Sequence, residues 1–190
     1  MSVNPVFCAA SILTNTATAW VNQITAGRTV TLGVTSIQGG DAPNVIPDTA
    51  DILGSLRFFN DEEGEKAVRI FKNVAEHTAA MNNCQVQFDD RFCVLCAPVI
   101  NDEYYSNLIS AALPEVLLEN VTVSSCEPWY ASESFSCYRR ICPSVLAHLG
   151  INNPSYGSGA AHHNGFFDVD EGVLSTGVIA TLKFVAMLQK

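Results

Sequence analysis

A ten-residue connection between two strand-like segments constrains the fold of this chain more than any other stretch. The connection reads Gly39-Gly-Asp-Ala-Pro-Asn-Val-Ile-Pro-Asp48, and the flanking residues 29–37 and 49–59 alternate between apolar and polar side chains. A plain β-hairpin turn needs only about two to five residues. The glycines, the two prolines and the amide therefore predict a rigid, shaped loop at the end of a two-stranded ribbon.

Two amphipathic helices are predicted beside this ribbon. Asn4-Pro5 is a favourable helix start, and the apolar residues that follow recur at spacings of three and four. Acidic residues at 61–65 begin the second helix, and residues 84–88 are predicted as a third strand. This order is that of a split β-α-β motif without its first strand. The predicted buried face of the first helix consists of Val6, Ala9, Leu13, Ala17, Trp20 and Ile24.

The second half of the chain predicts one edge of an α/β layer. Helices are expected from Asn101 onward, over Glu133–Ile141 and over Gly172–Gln189, and short strands over Val121–Ser124 and Val145–Leu149. The last helix is expected to bury its apolar residues, which include Leu174, Ile179, Leu182 and Val185.

Charge and hydropathy exclude several classes of partner. The net charge of −9 argues against nucleic acid and against an anionic membrane as partners, because both require a basic surface. No stretch reaches the roughly 18 consecutive apolar residues of a membrane span.

The cysteine pattern predicts reduced thiols. Seven cysteines are an odd number without a disulfide framework, and residues 1–24 carry no secretory signal, so a cytoplasmic protein is expected. Cys93-Val-Leu-Cys96 has the C-x-x-C spacing of redox and zinc sites. Its strand-like setting and the lack of a second pair favour a structural role.

Three residues combine a suitable side chain with a suitable position for chemistry, and each also has a plainer interpretation. His163, in a loop followed by carboxylates, is either a metal ligand or a solvated histidine. Glu133, in the first turn of a predicted helix, is either a site residue or a partner of the helix dipole. Arg57, on the polar face of a strand, is either a surface charge or a bidentate clamp for a carboxylate.

These blocks together resemble the dinuclear zinc amidohydrolases and exopeptidases, a family of aminoacylases, hippurate hydrolases, auxin-conjugate hydrolases and glutamate carboxypeptidases. The opening block is similar to the family's G-G-x-A-x-N-V-I-P segment, and Gly54-Ser-Leu-Arg57 to the G-T-x-R strand after it. Ser132-Glu-Ser-Phe resembles S-E-D-F, and His163-Asn-Gly-Phe-Phe-Asp-Val-Asp-Glu171 resembles H-N-P-x-Y-x-x-x-D-E.

The resemblance implies an α+β protein of two domains. Residues 1–92 would be a ferredoxin-like lid, or dimerisation, domain that lacks its first strand. Residues 93–190 would be the C-terminal part of an α/β three-layer catalytic domain.

The resemblance also implies roles for four residues. Asn44 would bind the substrate's carbonyl or carboxylate, and Arg57 would hold the free carboxylate of the amino-acid portion. His163 would be a zinc ligand, and Glu133 would line the catalytic pocket or support its metal ligands.

Departures from the family pattern limit the expected chemistry. Ser134 stands where the family has aspartate, Gly165 stands where it has proline, and neither the H-x-C-G-H-D metal motif nor the Glu-Glu pair that supplies the base occurs. The family's site holds two zinc ions, and one zinc needs about three or four protein ligands. We therefore expect the C-terminal portion of a zinc-dependent N-acyl-amino-acid amidohydrolase or carboxypeptidase, inactive by itself. The alternative is a non-catalytic dimerisation or ligand-binding module derived from that family.

The partners implied are a small N-acyl amino acid or peptide-like substrate, a second copy of the chain bound through the lid, and a separate N-terminal catalytic half. An extended Asp48–Arg57 segment spans roughly 30 Å at about 3.3 Å per residue. One small substrate cannot bridge that span, whereas a two-fold dimer could bring Asn44 of one chain to the site served by Arg57 of the other.

Overall fold

The computed structural model describes residues 3–89, 97–117 and 121–189. The chain forms two compact units, one of Met1–Val99 with Tyr130–Cys137 and one of Ile100–Trp129 with Tyr138–Lys190. The predicted boundary at residues 92 and 93 lies outside the described residues, as do Cys93 and Cys96. The two-domain division therefore stays a prediction.

The first unit has the predicted order of helix, strand, strand, helix. Helix α1 spans Pro5–Gln23, strand β1 Val30–Gln38, strand β2 Asp51–Phe58 and helix α2 Asp61–Met81. The two strands pair antiparallel. This combination of helices with a small antiparallel sheet confirms the α+β lid that the sequence predicts.

Side-chain caps begin both helices where the sequence places them. The side chain of Asn4 accepts a hydrogen bond from the backbone N–H of Val6 at 2.9 Å. The side chain of Asn60 accepts a hydrogen bond from the backbone N–H of Glu63 at 3.0 Å. Each cap satisfies an N–H group that has no partner inside its own helix.

The core of this unit lies between α1 and α2. Cys8 and Ile12 of α1 pack with Ala75 and Ala79 of α2, and all four are at most 5% exposed. Partly buried apolar residues surround this cluster, including Ile52 of β2.

The buried face of α1 is displaced from the predicted one. The buried residues are Cys8, Ala9, Ile12 and Thr16, whereas only Ala9 belongs to the predicted set. Helix α1 also carries apolar residues outside its buried face. The spacing of apolar residues therefore predicted a face next to the one that is buried. Which face is buried is set by the small residues of α2 against which it packs.

The prediction of a third strand over residues 84–88 is wrong. Among the described residues the sheet consists of β1 and β2 alone. Cys84, Val86 and Phe88 do pack against the helical core, which accounts for their alternating pattern. A strand also needs a backbone partner, and no described segment supplies one here.

The ribbon bends at a β-bulge. Val34 pairs with Gly54 and Ser36 with Leu53, so Thr35 is an extra residue in β1. The strands approach closely at Gly54. A Cβ atom there would lie 2.7 Å from the carbonyl oxygen of Gly33.

The second unit contains two α-helices in its described part, α3 over Glu103–Ala112 and α4 over Leu174–Leu188. The predicted strands at 121–124 and 145–149 do not form. The amide side chain of Asn101 instead pairs with the backbone of Leu146, through two hydrogen bonds of 2.9 Å. A side chain thus occupies the position that a neighbouring strand would have.

The prediction that α4 is buried is wrong. Leu174, Ile179, Leu182 and Val185 are 50%, 39%, 63% and 46% exposed. Helix α4 does contact its own unit, where Lys183 forms an ion pair with Glu115 at 2.8 Å.

One window in the described chain, Glu171–Leu188, is long and apolar enough to cross a membrane by length and composition alone. Glu171, Lys183 and several small polar residues interrupt its apolar run, so no membrane span is predicted there from consecutive apolar residues.

Substitution of Gly54 by alanine tests the close approach of the two strands. The added Cβ would meet the backbone of Gly33 and Val34 at 2.7 and 3.2 Å, so we expect a loss of about 1–3 kcal/mol of unfolding free energy. Gly33→Ala is the matched control, because its nearest neighbour would be Ser55 Oγ at an ordinary 3.8 Å. Urea unfolding followed by circular dichroism measures both, and equal stability of the two variants would contradict the packing described.

Candidate functional site

The loop between β1 and β2 lines an open, shallow pocket at the tip of the ribbon. The pocket measures about 570 Å³ and is lined by residues 39–47 together with Asn4 and Val6 at the start of α1. Two glycines shape it for different reasons. A Cβ at Gly39 would lie 3.0 Å from Val6 and 3.1 Å from Ala50, and Gly40 has a φ of +79° that favours glycine.

Asn44 lies in this loop and is exposed. Val45 donates a backbone hydrogen bond to Ala42 at 3.3 Å, which closes a turn around it. The two residues after Asn44, Val45 and Ile46, are 61% and 45% exposed. The tip therefore presents one amide side chain beside two apolar ones.

Arg57 is half-buried near the far end of β2, where it pairs with Thr31 of β1. Its guanidinium donates a hydrogen bond to the backbone carbonyl of Tyr130. The Tyr130 ring packs edge-to-face on Phe59, with 4.8 Å between ring centroids. The segment Tyr130–Cys137 thus joins the first unit next to Arg57. One hydrogen bond uses only part of the donor capacity of a guanidinium, which carries five N–H groups.

Glu133 lies in the same segment, three residues after Tyr130, and is exposed. Its carboxylate accepts the backbone N–H of Phe135 at 2.9 Å and so caps a 3-10 helix over Ser134–Arg140. Its position before the first turn agrees with the helix-dipole role that the sequence left open beside a site role. Glu133 lies three residues after Tyr130, whose carbonyl Arg57 contacts, and its carboxylate has a local structural partner in Phe135.

Asn44 and Arg57 are not brought together within one chain. Gln38 pairs with Asp51 at the loop end of the ribbon, and Thr31 pairs with Arg57 at the other end. Six residues of extended strand separate these two pairs, which is roughly 20 Å at about 3.4 Å per residue. The ribbon is therefore too long for one small molecule to contact both residues of the same chain.

His163 lies in a tight loop of the second unit. Its φ of +60° is in the left-handed region, which is uncommon for a residue with a side chain. The loop is held by Asn164, whose side chain accepts the N–H of Phe166 at 2.9 Å. Asp170 ends the loop by capping the helical turn that leads into α4.

A row of aromatic rings next to this loop was not found from the sequence. Trp129 packs against His148 and His162 at centroid distances of 5.3 and 5.1 Å, and His162 packs against Phe167 at 5.3 Å. Both histidines are thus involved in ring contacts. The exposed Pro-Trp-Tyr sequence at 128–130 was the only signal that pointed to this region.

The residues in the described part of the chain do not fit a complete zinc site. No group of three or more histidine, cysteine, aspartate or glutamate side chains there is placed to hold a metal ion. His162 is packed between Trp129 and Phe167, and His163 has no such group around it. We therefore derive no metal-dependent step from this chain.

Residues 2–82 match the sequence profile of a peptidase dimerisation domain of the M20 family. The matched region begins before α1 and ends just after α2, so it is the helix-strand-strand-helix lid described above. The chain corresponds to a C-terminal part of M20 proteins.

Two curated relatives are hydrolases by name. A thermostable carboxypeptidase of Saccharolobus solfataricus is 26% identical over 94% of this chain and 44% of its own length. An IAA-amino acid hydrolase of Arabidopsis thaliana is 28% identical over 76% of this chain and 33% of its own length. The chain thus spans about a third to a half of the relatives it matches.

The fold also matches a solved structure. A Bacillus subtilis protein described as a dinuclear metal binding peptidase of the M20 family superposes with a TM-score of 0.75 and 22% identity. The match covers 98% of this chain and 46% of that one. It therefore extends through both units of this chain and supports the M20 fold for the whole of it.

Proposed function

We propose that this chain is the dimerising and carboxylate-binding portion of a zinc-dependent N-acyl-amino-acid amidohydrolase or carboxypeptidase. The reaction is hydrolysis of an amide bond next to a free carboxylate. The observation that carries the proposal is Arg57, a half-buried cation on a paired strand, with its side chain oriented by the carbonyl of Tyr130. The relatives, a carboxypeptidase and an amino-acid-conjugate hydrolase among them, support it.

The geometry of Arg57 suits recognition of a carboxylate. A guanidinium binds a carboxylate through two parallel hydrogen bonds, and a rigid strand fixes the direction of that fork. The bond to Tyr130 fixes one nitrogen and leaves other donors for a ligand. Phe59 and Tyr130 beside it offer an apolar wall for the rest of the amino acid.

Ligand binding tests this role of Arg57. We expect an N-acyl amino acid to bind more tightly than its carboxamide, because the amide removes the charge that pairs with the guanidinium. Arg57→Gln should weaken binding of the carboxylate about tenfold or more and leave the carboxamide unaffected. Ligand-observed NMR titration at millimolar concentration measures both.

Arg69→Gln is the matched control for that titration. Arg69 is an exposed arginine on α2 that pairs only weakly with Glu65, at 3.8 Å. The Arg69→Gln variant should bind the acid and the carboxamide with the same affinities as the unmodified chain. Equal affinity of the unmodified chain for the acid and the amide would refute carboxylate recognition by Arg57.

We further propose that the chain alone does not hydrolyse amides. Hydrolysis by the family mechanism needs a metal-activated water and a base. His163 is the single residue of this chain that matches a metal ligand of the family, and no residue matches the base. The absence of a suitable group of ligands in the described part of the chain agrees with this.

Zinc titration and turnover together test the inactivity. We expect no turnover of N-acyl amino acids above the buffer rate with added zinc, and at most one weakly bound zinc per chain. His163→Ala should remove any such weak binding, whereas His77→Ala on α2 should not. Two tightly bound zinc ions per chain with turnover would contradict the proposal. Absence of both zinc and carboxylate binding would favour the alternative, a purely dimerising module.

The exposed apolar face of α4 supports the view that this portion packs against the rest of a catalytic domain. Val178, Ile179, Leu182 and Val185 are between 39% and 63% exposed. Water-exposed apolar side chains in one row mark a surface that a partner covers. The relatives carry more than half of their length outside the matched region, and we propose the N-terminal half of the catalytic domain as that partner.

We propose a homodimer through the lid, and the match of residues 2–82 to a dimerisation domain supports it. We propose that it places Asn44 of one chain near Arg57 of the other, because these residues are at opposite ends of the ribbon within a chain. A two-fold interface is self-complementary, so both pairs would form at once.

Sedimentation equilibrium tests the dimer. We expect a mass of twice the 20.5 kDa chain at micromolar concentration or above. If the affinity between the two chains is moderate, the mass should fall towards the single-chain value on dilution. A mass of one chain at the highest soluble concentration would contradict assembly through the lid.

A further inference from the structure

Two cysteines from distant parts of the sequence meet in the core of the first unit. Cys8 of α1 is 4% exposed, and the partly buried Cys84 packs against the same cluster. Both are free thiols. Neither residue belongs to the candidate site, and nothing in the family resemblance gives them a role.

The end of α2 brings Cys84 to this position. Asn83 has a φ of +52°, in the left-handed region that commonly ends helices. The backbone N–H of Cys84 then donates to the carbonyl of Ala79 at 2.9 Å. Since Ala79 packs beside Cys8, this turn directs the chain back onto α1 at the position of Cys8.

The two thiols pack in the same cluster and differ in accessibility. Cys8 is buried inside the cluster, and Cys84 lies at its partly exposed edge. Burial, with a smaller effect of Cys84, raises the pKa of Cys8 to about 11. Cys8 therefore remains a thiol at neutral pH, and the more accessible Cys84 is the residue that a dissolved reagent meets first.

We propose that Cys8 and Cys84 are a redox modification site that closes to an intramolecular disulfide when it meets a low-molecular-mass disulfide such as oxidised glutathione. The proposal rests on the fold of the lid and is independent of the proposed function. A reducing cytoplasm, the location that we propose for the chain, would hold the pair in its dithiol form.

The reaction proceeds by two thiol–disulfide exchanges. The Cys84 thiolate attacks one sulfur of oxidised glutathione and displaces one glutathione thiolate, which leaves a mixed disulfide on Cys84. Cys8 then loses its proton to solvent and attacks the Cys84 sulfur, which displaces the second glutathione thiolate. Two protein thiols are oxidised, and one small disulfide is reduced to two thiols.

The bond would tie α1 to the segment that follows α2. A cross-link between distant residues stabilises a fold chiefly by restricting the unfolded chain. Both helices of the lid would then be held by a covalent bond beside their apolar contact.

Peptide mapping of the full chain tests the proposal. The reduced protein is incubated with oxidised glutathione at pH 8, acid-quenched, alkylated in denaturant and digested without reductant. We expect a linked pair of peptides containing Cys8 and Cys84, two hydrogens lighter than their sum. The step that closes the bond should accelerate about tenfold per pH unit between pH 7 and 9, because the Cys8 thiolate fraction rises tenfold per unit below its pKa.

Two variants separate the steps. Cys8→Ala should stop the reaction at a glutathione adduct on Cys84, and Cys84→Ser should leave Cys8 unmodified. Exposed Cys126 is the internal control for reagent action. Recovery of unlinked Cys8 and Cys84 when Cys126 is fully modified would overturn the proposal, as would a bond from Cys84 to any cysteine other than Cys8.

Discussion

The packing of α1 against α2 is the contact on which the first unit depends. Ala75 and Ala79 lie one helical turn apart on α2 and are almost fully buried, which allows Cys8 and Ile12 of α1 to approach closely. Ile52 of β2 packs against the same cluster and fixes the ribbon to the helices. The loop with Asn44 and the strand with Arg57 are held at the two ends of that ribbon.

Local signals were enough to predict the elements of this unit. Asn4 and Asn60 cap their helices through side chains that the sequence displays directly. The glycines of the connecting loop and of β2 each correspond to a close contact or a positive φ, so their positions follow from steric limits. Such features depend on residues close together in the sequence, so they can be predicted from the sequence alone.

Features that need a distant partner were predicted poorly. Residues 84–88 alternate and residues 145–149 are mostly apolar, and both were predicted as strands. The former instead pack by their side chains, and in the latter the backbone of Leu146 is bonded by the amide of Asn101. The buried face of α1 depends on which side of α2 carries small residues. In the same way, Arg57 was identified by its motif, but its contact with Tyr130 uses a backbone carbonyl, which every residue type possesses. Ring contacts around His162 likewise depend on Trp129, which is more than thirty positions away.

The first unit is discontinuous in sequence, and this has a consequence for recombination among related proteins. Its main part ends at Val99, and Tyr130–Cys137 returns to it after a stretch that belongs to the second unit. The dimerisation domain as defined by residues 2–82 omits that returning segment. A gene exchange at those borders would transfer Arg57 without the Tyr130 carbonyl that orients it. Chimaeras that keep the contact between Arg57 and Tyr130 therefore need both stretches from the same parent.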